Sequence, residues 1–289
     1  MANLKYDPSA RFDVEISDVV YRQDGNIPWQ ASIYQPKGEG PFPGLLDVHG
    51  GAWNRGDRAA DRVMNQALAA SGIVVAAIDF RLAPDHSYPA QVVDTNYAIR
   101  WFKAHAQDFN VDSQSIGAMG CSSGGHTVML SAMRPNDSRY AALPLLEHGE
   151  VDASLQYLLC CWPVLDPYAR YVYAKGAGEV RLQASSEAYF LNDETMHEGN
   201  CQEILERGEE VKLPPTILIQ GTNDSNVPLS IPQRFDEAYR KAGGHLELEM
   251  FQDMIHGFGN TPGPESDRAI ELMKGFIARQ LSRATAAAV

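Results

Sequence analysis

Ser122 lies in the run Gly120-Cys121-Ser122-Ser123-Gly124-Gly125, between an apolar stretch at 115–119 and a helix-like stretch at 126–133. A glycine-flanked serine between a strand and a helix is the setting of a nucleophile elbow. Such a turn is tight and strains the serine backbone. Glycines two positions before and after let strand and helix approach without Cβ clashes. The turn would lift the Ser122 hydroxyl from the sheet edge and put the Ser123 N–H at a helix N-terminus, where a developing oxyanion is stabilised. Taken alone, the same residues also describe an ordinary Gly/Ser loop.

A serine hydroxyl is a poor nucleophile at neutral pH, so it needs a general base and a group that orients that base. Downstream, the apolar run 216–220 is followed by Gly221-Thr222-Asn223-Asp224, and the run ending at Phe251 is followed by the loop carrying His256-Gly257-Phe258. A loop aspartate is more often a turn former, and most of eight histidines must be bystanders. Both residues nonetheless follow a strand, as Ser122 does, and an open parallel sheet builds its site at that end. In the roles this suggests, Ser122 attacks a carbonyl and His256 takes its proton and later delivers it to the leaving group. Asp224 holds the imidazole tautomer and stabilises the imidazolium. Further oxyanion donors are expected from Gly50 and Gly51 in Val48-His49-Gly50-Gly51-Ala52-Trp53, joined by the Ser123 N–H. One such donor contributes on the order of 3 kcal/mol to transition-state stabilisation. This Gly-rich loop lacks the Gly-Lys-Ser/Thr of a phosphate-binding P-loop and any G-x-G-x-x-G spacing.

The elements that must position these groups follow from periodicity. Strands at 14–21 and 29–34, joined by a turn at 23–26, read as an antiparallel hairpin. Continuous apolar runs at 44–48, 73–79, 115–120, 155–161, 216–220 and 246–251 alternate with helix-length segments, the pattern of a parallel sheet covered on both faces. Helices are expected at 58–70, 89–109 and 264–281, with the alanine-rich end 284–289 frayed. Residues 165–210 break the alternation. They are aromatic-rich without a strand pattern, and a connection of that size suggests a small helical lid or cap within a single domain spanning 1–289. Its tyrosines could equally pack against their own helices.

The formal charge of −13 argues against nucleic acid or anionic membranes as partners, both of which need clustered Lys and Arg. No window approaches a membrane span and no apolar leader is visible, so a cytoplasmic protein is expected. Cys121, Cys160, Cys161 and Cys201 lack metal-ligand spacing, so no metal and four reduced thiols are expected. Cys121 precedes the elbow apex and reads as a packing residue rather than a thiol nucleophile. An edge strand or the last helix could support a homodimer.

Beyond single motifs, the chain resembles the α/β-hydrolases of the hormone-sensitive-lipase/carboxylesterase type. The residues carrying the resemblance are His49-Gly50-Gly51-Ala52-Trp53, Asp79-Phe80-Arg81-Leu82-Ala83-Pro84-Asp85-His86-Ser87-Tyr88-Pro89-Ala90, Gly120–Gly125, Gly221-Thr222-Asn223-Asp224 and His256-Gly257-Phe258. The order Ser, Asp, His is that of this fold. The resemblance implies a mostly parallel eight-stranded sheet with helices on both faces and a small helical cap. It also implies a serine hydrolase for small, fairly apolar carboxylic esters, with no cofactor and oxyanion donors from the His-Gly-Gly segment. Three features depart from the usual pattern. Ala52 replaces a third loop glycine, Cys121 and Ser123 flank the nucleophile, and the N-terminal cap is nearly absent. His126 after the elbow resembles the branch with feruloyl-type esterases and kynurenine formamidases. Amides, formamides, carbamates and lactones would use the same machinery, and a non-catalytic receptor on the same fold is the remaining alternative. His49 and His86 read as loop-bracing residues.

Overall fold

The computed structural model describes residues 6–145 and 150–287. Its strands are β1 (Val14–Asp24), β2 (Ile27–Pro36), β3 (Phe42–Val48), β4 (Val74–Ile78), β5 (Val111–Cys121), β6 (Leu158–Cys161), β7 (Thr216–Gly221) and β8 (Leu246–Phe251). They form an eight-stranded sheet in the order β1-β2-β4-β3-β5-β6-β7-β8. β1 and β2 make the expected hairpin, and β2 pairs antiparallel with β4. Every pairing from β4 to β8 is parallel. The continuous apolar runs are buried on both faces because alternate side chains feed two cores. Leu46, Val48, Ala76, Ile78 and Ala118 face one; Leu45, Val75, Ala77 and Met119 face the other.

The helices are α1 (Arg62–Ala70), α2 (Ala90–Ala104), α3 (Ser123–Met133), α4 (Pro167–Ala177), α5 (Val180–Phe190), α6 (Asp193–Glu198), α7 (Cys201–Glu206), α8 (Ser230–Lys241) and α9 (Pro264–Ala287). Met64 and Leu68 of α1 and Ile270, Met273 and Phe276 of α9 pack on one core. Val92, Ile99, Val128, Leu130, Phe235 and Tyr239 of α2, α3 and α8 pack on the other.

Three helix boundaries differ from the periodicity reading, each for a local reason. α1 starts at Arg62 rather than 58, because the Arg58 N–H and guanidinium bind the Asp79 carboxylate and hold the preceding residues in turns. α2 stops at Ala104, and a 3-10 turn at Ala106–Phe109 ends on Asn110 in the left-handed region, φ 55°. α9 runs on to Ala287 through the stretch expected to fray, whose last two residues lie outside the described ones. The amphipathic helix α8 was not anticipated.

Residues 167–206 hold four short helices between β6 and β7. The starts of α4, α6 and α7 are written in the sequence. Asp166 accepts from the Ala169 N–H with Pro167 in the first turn, and Asn192 and Asn200 cap α6 and α7. All four cysteines are buried and unpaired. Among the described residues no helix is long and apolar enough to cross a membrane.

Candidate active site

Because β5, β7 and β8 run parallel, the loops that follow them emerge on the same edge of the sheet. Ser122 is the hinge between β5 and α3, with φ 53° and ψ −117°. That left-handed backbone is strained for a serine. The turn is locked by hydrogen bonds from the Ser122 N–H to the Cys161 carbonyl (2.9 Å) and from the Val164 N–H to the Ser122 carbonyl (3.1 Å). Gly124 makes the close approach possible, since a Cβ there would lie 2.0 Å from the Val48 carbonyl oxygen.

His256 Nε2 stands 2.9 Å from Ser122 Oγ, and Nδ1 stands 2.8 Å from Asp224 Oδ2. A carboxylate only accepts, so Nδ1 carries the proton and Nε2 is free to accept from the serine hydroxyl. The remaining Asp224 lone pairs are taken. Oδ1 accepts from the Asn226 and Val227 N–H groups at 2.8 and 2.9 Å, and Oδ2 also accepts from Gln220 Nε2 at 2.8 Å. Burial alone would raise this carboxyl. The His256 hydrogen bond and charge, with the two N–H groups, outweigh it and hold it below its ordinary value. The acid and base loops are stitched together by the Asn223 N–H to the Met254 carbonyl and the Asp253 N–H to Thr222 Oγ1, at 3.0 and 2.7 Å. The three sequence candidates Ser122, Asp224 and His256 are thus joined in one hydrogen-bonded line.

The loop after β3 folds against this line. A Cβ on Gly50 would lie 3.1 Å from Ser122 Cβ, and one on Gly51 (φ +127°) would lie 1.9 Å from the Arg55 carbonyl oxygen. Ala52, which stands where a third glycine is usual, adopts φ 51° and Trp53 φ 62°. Among the described residues no internal hydrogen bond engages the N–H groups of Gly50, Gly51 or Ser123. Trp53 pins the loop from four directions. Its N–H donates to Ser123 Oγ (3.2 Å), and its carbonyl accepts from the Ala83 N–H (2.9 Å) and Gln91 Nε2 (2.6 Å). Its indole stacks on Tyr189 of α5, centroids 5.2 Å apart, and donates through Nε1 to His126 Nδ1 at 3.2 Å.

His126 is a site residue that motif reading left without a role. The indole can only donate, so Nδ1 accepts and Nε2 carries the proton, donated to the Gly199 carbonyl at 2.7 Å. This neutral ring therefore ties the elbow helix to the Gly-rich loop and to the segment between α6 and α7. Burial is the main cause that pushes it down to about 4. An unfolded chain binds a proton there near pH 6.5, so between about pH 6.5 and pH 4 this residue makes folding less favourable as pH falls, by up to about 3 kcal/mol. Asp47 and Asp61, both raised by burial, act in the opposite sense. His126→Gln is expected to lose less stability than wild type between pH 7 and pH 4.5, measured as the difference in urea midpoint slopes. Equal slopes would remove His126 as the titrating group.

Gln220, Trp53 and His126 were not readable as partners, since their contacts span long stretches of chain. His49 braces its loop as expected, with Nδ1 2.6 Å from the Gly50 carbonyl and its ring stacked on Phe80. His86 is exposed and braces through its main chain, N–H to the Leu82 carbonyl. Cys121 is buried behind the apex beside Asp61 and Cys161, and burial raises its thiol well above the ordinary range.

The BD-FAE family model matches residues 32–239. Esterase LipC of Mycobacterium tuberculosis (strain ATCC 25618 / H37Rv) is 31% identical over 256 residues, covering 82% of this chain and 58% of LipC. The chain spans about half the length of the first such relatives. Among solved structures, esterase 2 of Thermogutta terrifontis, solved with butyrate bound, superposes with a TM-score of 0.70 at 26% identity. That likeness covers 92% of this chain and 94% of the other. Esterase B of Lactobacillus rhamnosis, at 23% identity and covering 98% and 92% of the two chains, shares the fold with a TM-score of 0.80. Fold, strand order and the family match agree: the chain belongs to the BD-FAE family of α/β-hydrolases.

Proposed function

We propose that the chain is a serine hydrolase that cleaves small carboxylic esters through an acyl-enzyme. The observation that carries this reading is the unbroken line from Ser122 Oγ through His256 to Asp224, at 2.9 and 2.8 Å, on a strained apex. On binding, the ester carbonyl would sit between Ser122 Oγ and the N–H groups of Gly50, Gly51 and Ser123. His256 Nε2 takes the hydroxyl proton as Oγ attacks, and Asp224 stabilises the resulting imidazolium. Collapse of the tetrahedral intermediate returns that proton to the leaving alcohol. Water then repeats the sequence on the acyl-enzyme and releases the acid. The esterase names of the curated relatives and the butyrate bound to Thermogutta terrifontis esterase 2 support the substrate class. In this reading the helices between β6 and β7 act as the cap over the substrate.

The test is a panel of 4-nitrophenyl acyl esters against N-formyl amides and carbamates, with mass mapping of a phosphonate inhibitor adduct. Ester turnover and an adduct on Ser122 are expected. Turnover confined to amides or carbamates would reassign the substrate, and an adduct on another residue would reassign the nucleophile.

A further inference from the structure

Arg170 of α4 is a buried cation that pairs with no acidic side chain among the described residues. It is 1% exposed in a chain with a formal charge of −13. Its hydrogen-bond partners are neutral: NH1 to Asn226 Oδ1 at 3.3 Å and NH2 to Ser186 Oγ at 3.1 Å, while Nε has none. The guanidinium lies over the Trp53 ring, 5.2 Å from its centroid. Buried charges are ordinarily paired, because leaving one unpaired costs several kcal/mol. Asp166, one turn earlier, is committed elsewhere, to the Ala169 N–H, Asn200 and Arg234.

Burial pushes the guanidinium down to about 10, with a smaller contribution in the same direction from the charge of another arginine, Arg55. Arg55 is exposed and sits on the Gly-rich loop, its carbonyl and Cγ packed against Gly51. Among the described residues it has no acidic partner. Asp57, two residues on, turns its carboxylate to the Ala59 N–H. Two unneutralised arginines therefore flank the loop that faces Ser122. One is reachable from solvent. The other is buried, over the Trp53 ring and hydrogen-bonded to Asn226 of the Asp224 loop.

We propose that the ester cleaved at Ser122 carries a second, anionic group, a carboxylate, which contacts Arg55 and is held by the positive potential of the buried Arg170. The inference rests on the serine-esterase reading above and names its substrate class: monoesters of dicarboxylic acids or esters of hydroxy-acids. A carboxylate there supplies the counter-charge that the fold omits.

The test compares, within each protein, kcat/KM for a carboxylate ester and its neutral analogue. Mono(4-nitrophenyl) glutarate against 4-nitrophenyl butyrate places the charge on the acyl side. 4-Acetoxybenzoate against phenyl acetate places it on the alcohol side. For at least one pair the anionic ester is expected to be favoured. That ratio should fall about tenfold in Arg55→Gln and should decline as salt rises. A neutral preference that Arg55→Gln leaves unchanged in both pairs would overturn the proposal while leaving the esterase reading in place. Turnover of none of the four would count against the esterase reading instead. A binding measurement then decides this one: calorimetry on Ser122→Ala protein should show monomethyl glutarate bound at least tenfold more tightly than methyl butyrate, and equal binding overturns it.

Discussion

Ser122→Ala is expected to lower kcat/KM for 4-nitrophenyl acetate by about four to six orders of magnitude while leaving the protein folded. The size follows from what is removed: the attacking atom and the proton that His256 handles in one step. Nucleophile and base act as a unit, so losing either forfeits nearly all of their joint contribution. What survives comes from substrate binding and the N–H groups of Gly50, Gly51 and Ser123, which need no hydroxyl. Folding should be spared. Among the described residues Ser122 Oγ has one hydrogen bond, to His256 Nε2, and alanine meets the same backbone penalty at φ 53° as serine does. A change in melting midpoint of no more than a few degrees is expected. Residual turnover near the wild-type level, on protein shown by mass to be homogeneous, would remove Ser122 from the mechanism. The adjacent thiol offers no substitute. Cys121 is buried on the far side of the apex, and burial keeps it protonated.

The site divides cleanly into what local pattern reveals and what it conceals. Ser122, Asp224 and His256 were readable because each lies in a loop directly after an apolar strand. Strand periodicity and turn chemistry are local properties, and a parallel sheet sends all such loops to one edge. Gly50 and Gly51, the proposed oxyanion donors, lie likewise in the loop after an apolar strand, β3. Gln220 was not. It sits at the end of an apolar strand, fully buried, and its purpose appears only when Asp224 turns back toward it in space. Arg170 and His126 were concealed more deeply. Arg170 looks like an ordinary charge on a helix until its neighbours prove to be Trp53, Ser186 and Asn226. His126 looks like a family marker until its two ring nitrogens are found bridging Trp53 and Gly199. The misplaced start of α1 has a similar origin. Helical spacing extends to 58, but a long-range contact with Asp79 overrides it. Pattern locates the groups proposed to meet substrate, and tertiary contacts set the groups that hold them.

Asp224→Asn is the second large effect, expected at about four orders of magnitude in kcat on the same ester, the scale seen when the triad acid of a serine protease is made an amide. The substitution is nearly isosteric, so the loss cannot be ascribed to a cavity. It arises because every approach to this carboxylate is a donor: the N–H groups of Asn226 and Val227 on Oδ1, Gln220 Nε2 and His256 Nδ1 on Oδ2. An asparagine must aim its NH2 at one of the two pairs. Aimed at the main-chain pair, it opposes two N–H groups fixed by the turn, which the loop cannot relieve without unfolding. Aimed at the other pair, it confronts Gln220, which can rotate its amide, and His256, which can only respond by moving its proton to Nε2. That second arrangement is the cheaper one, and it is fatal to the chemistry. With the proton on Nε2, the imidazole donates toward Ser122 Oγ and can no longer accept from it. Substrate affinity should be nearly unchanged, since Asp224 touches no part of the carbonyl path, so the loss should fall on kcat with little change in KM. Raising the pH should recover part of the activity as hydroxide takes over the role of the base. A drop of less than tenfold, with the fold intact, would show that His256 keeps its tautomer without Asp224 and would reduce the acid to a loop-forming residue.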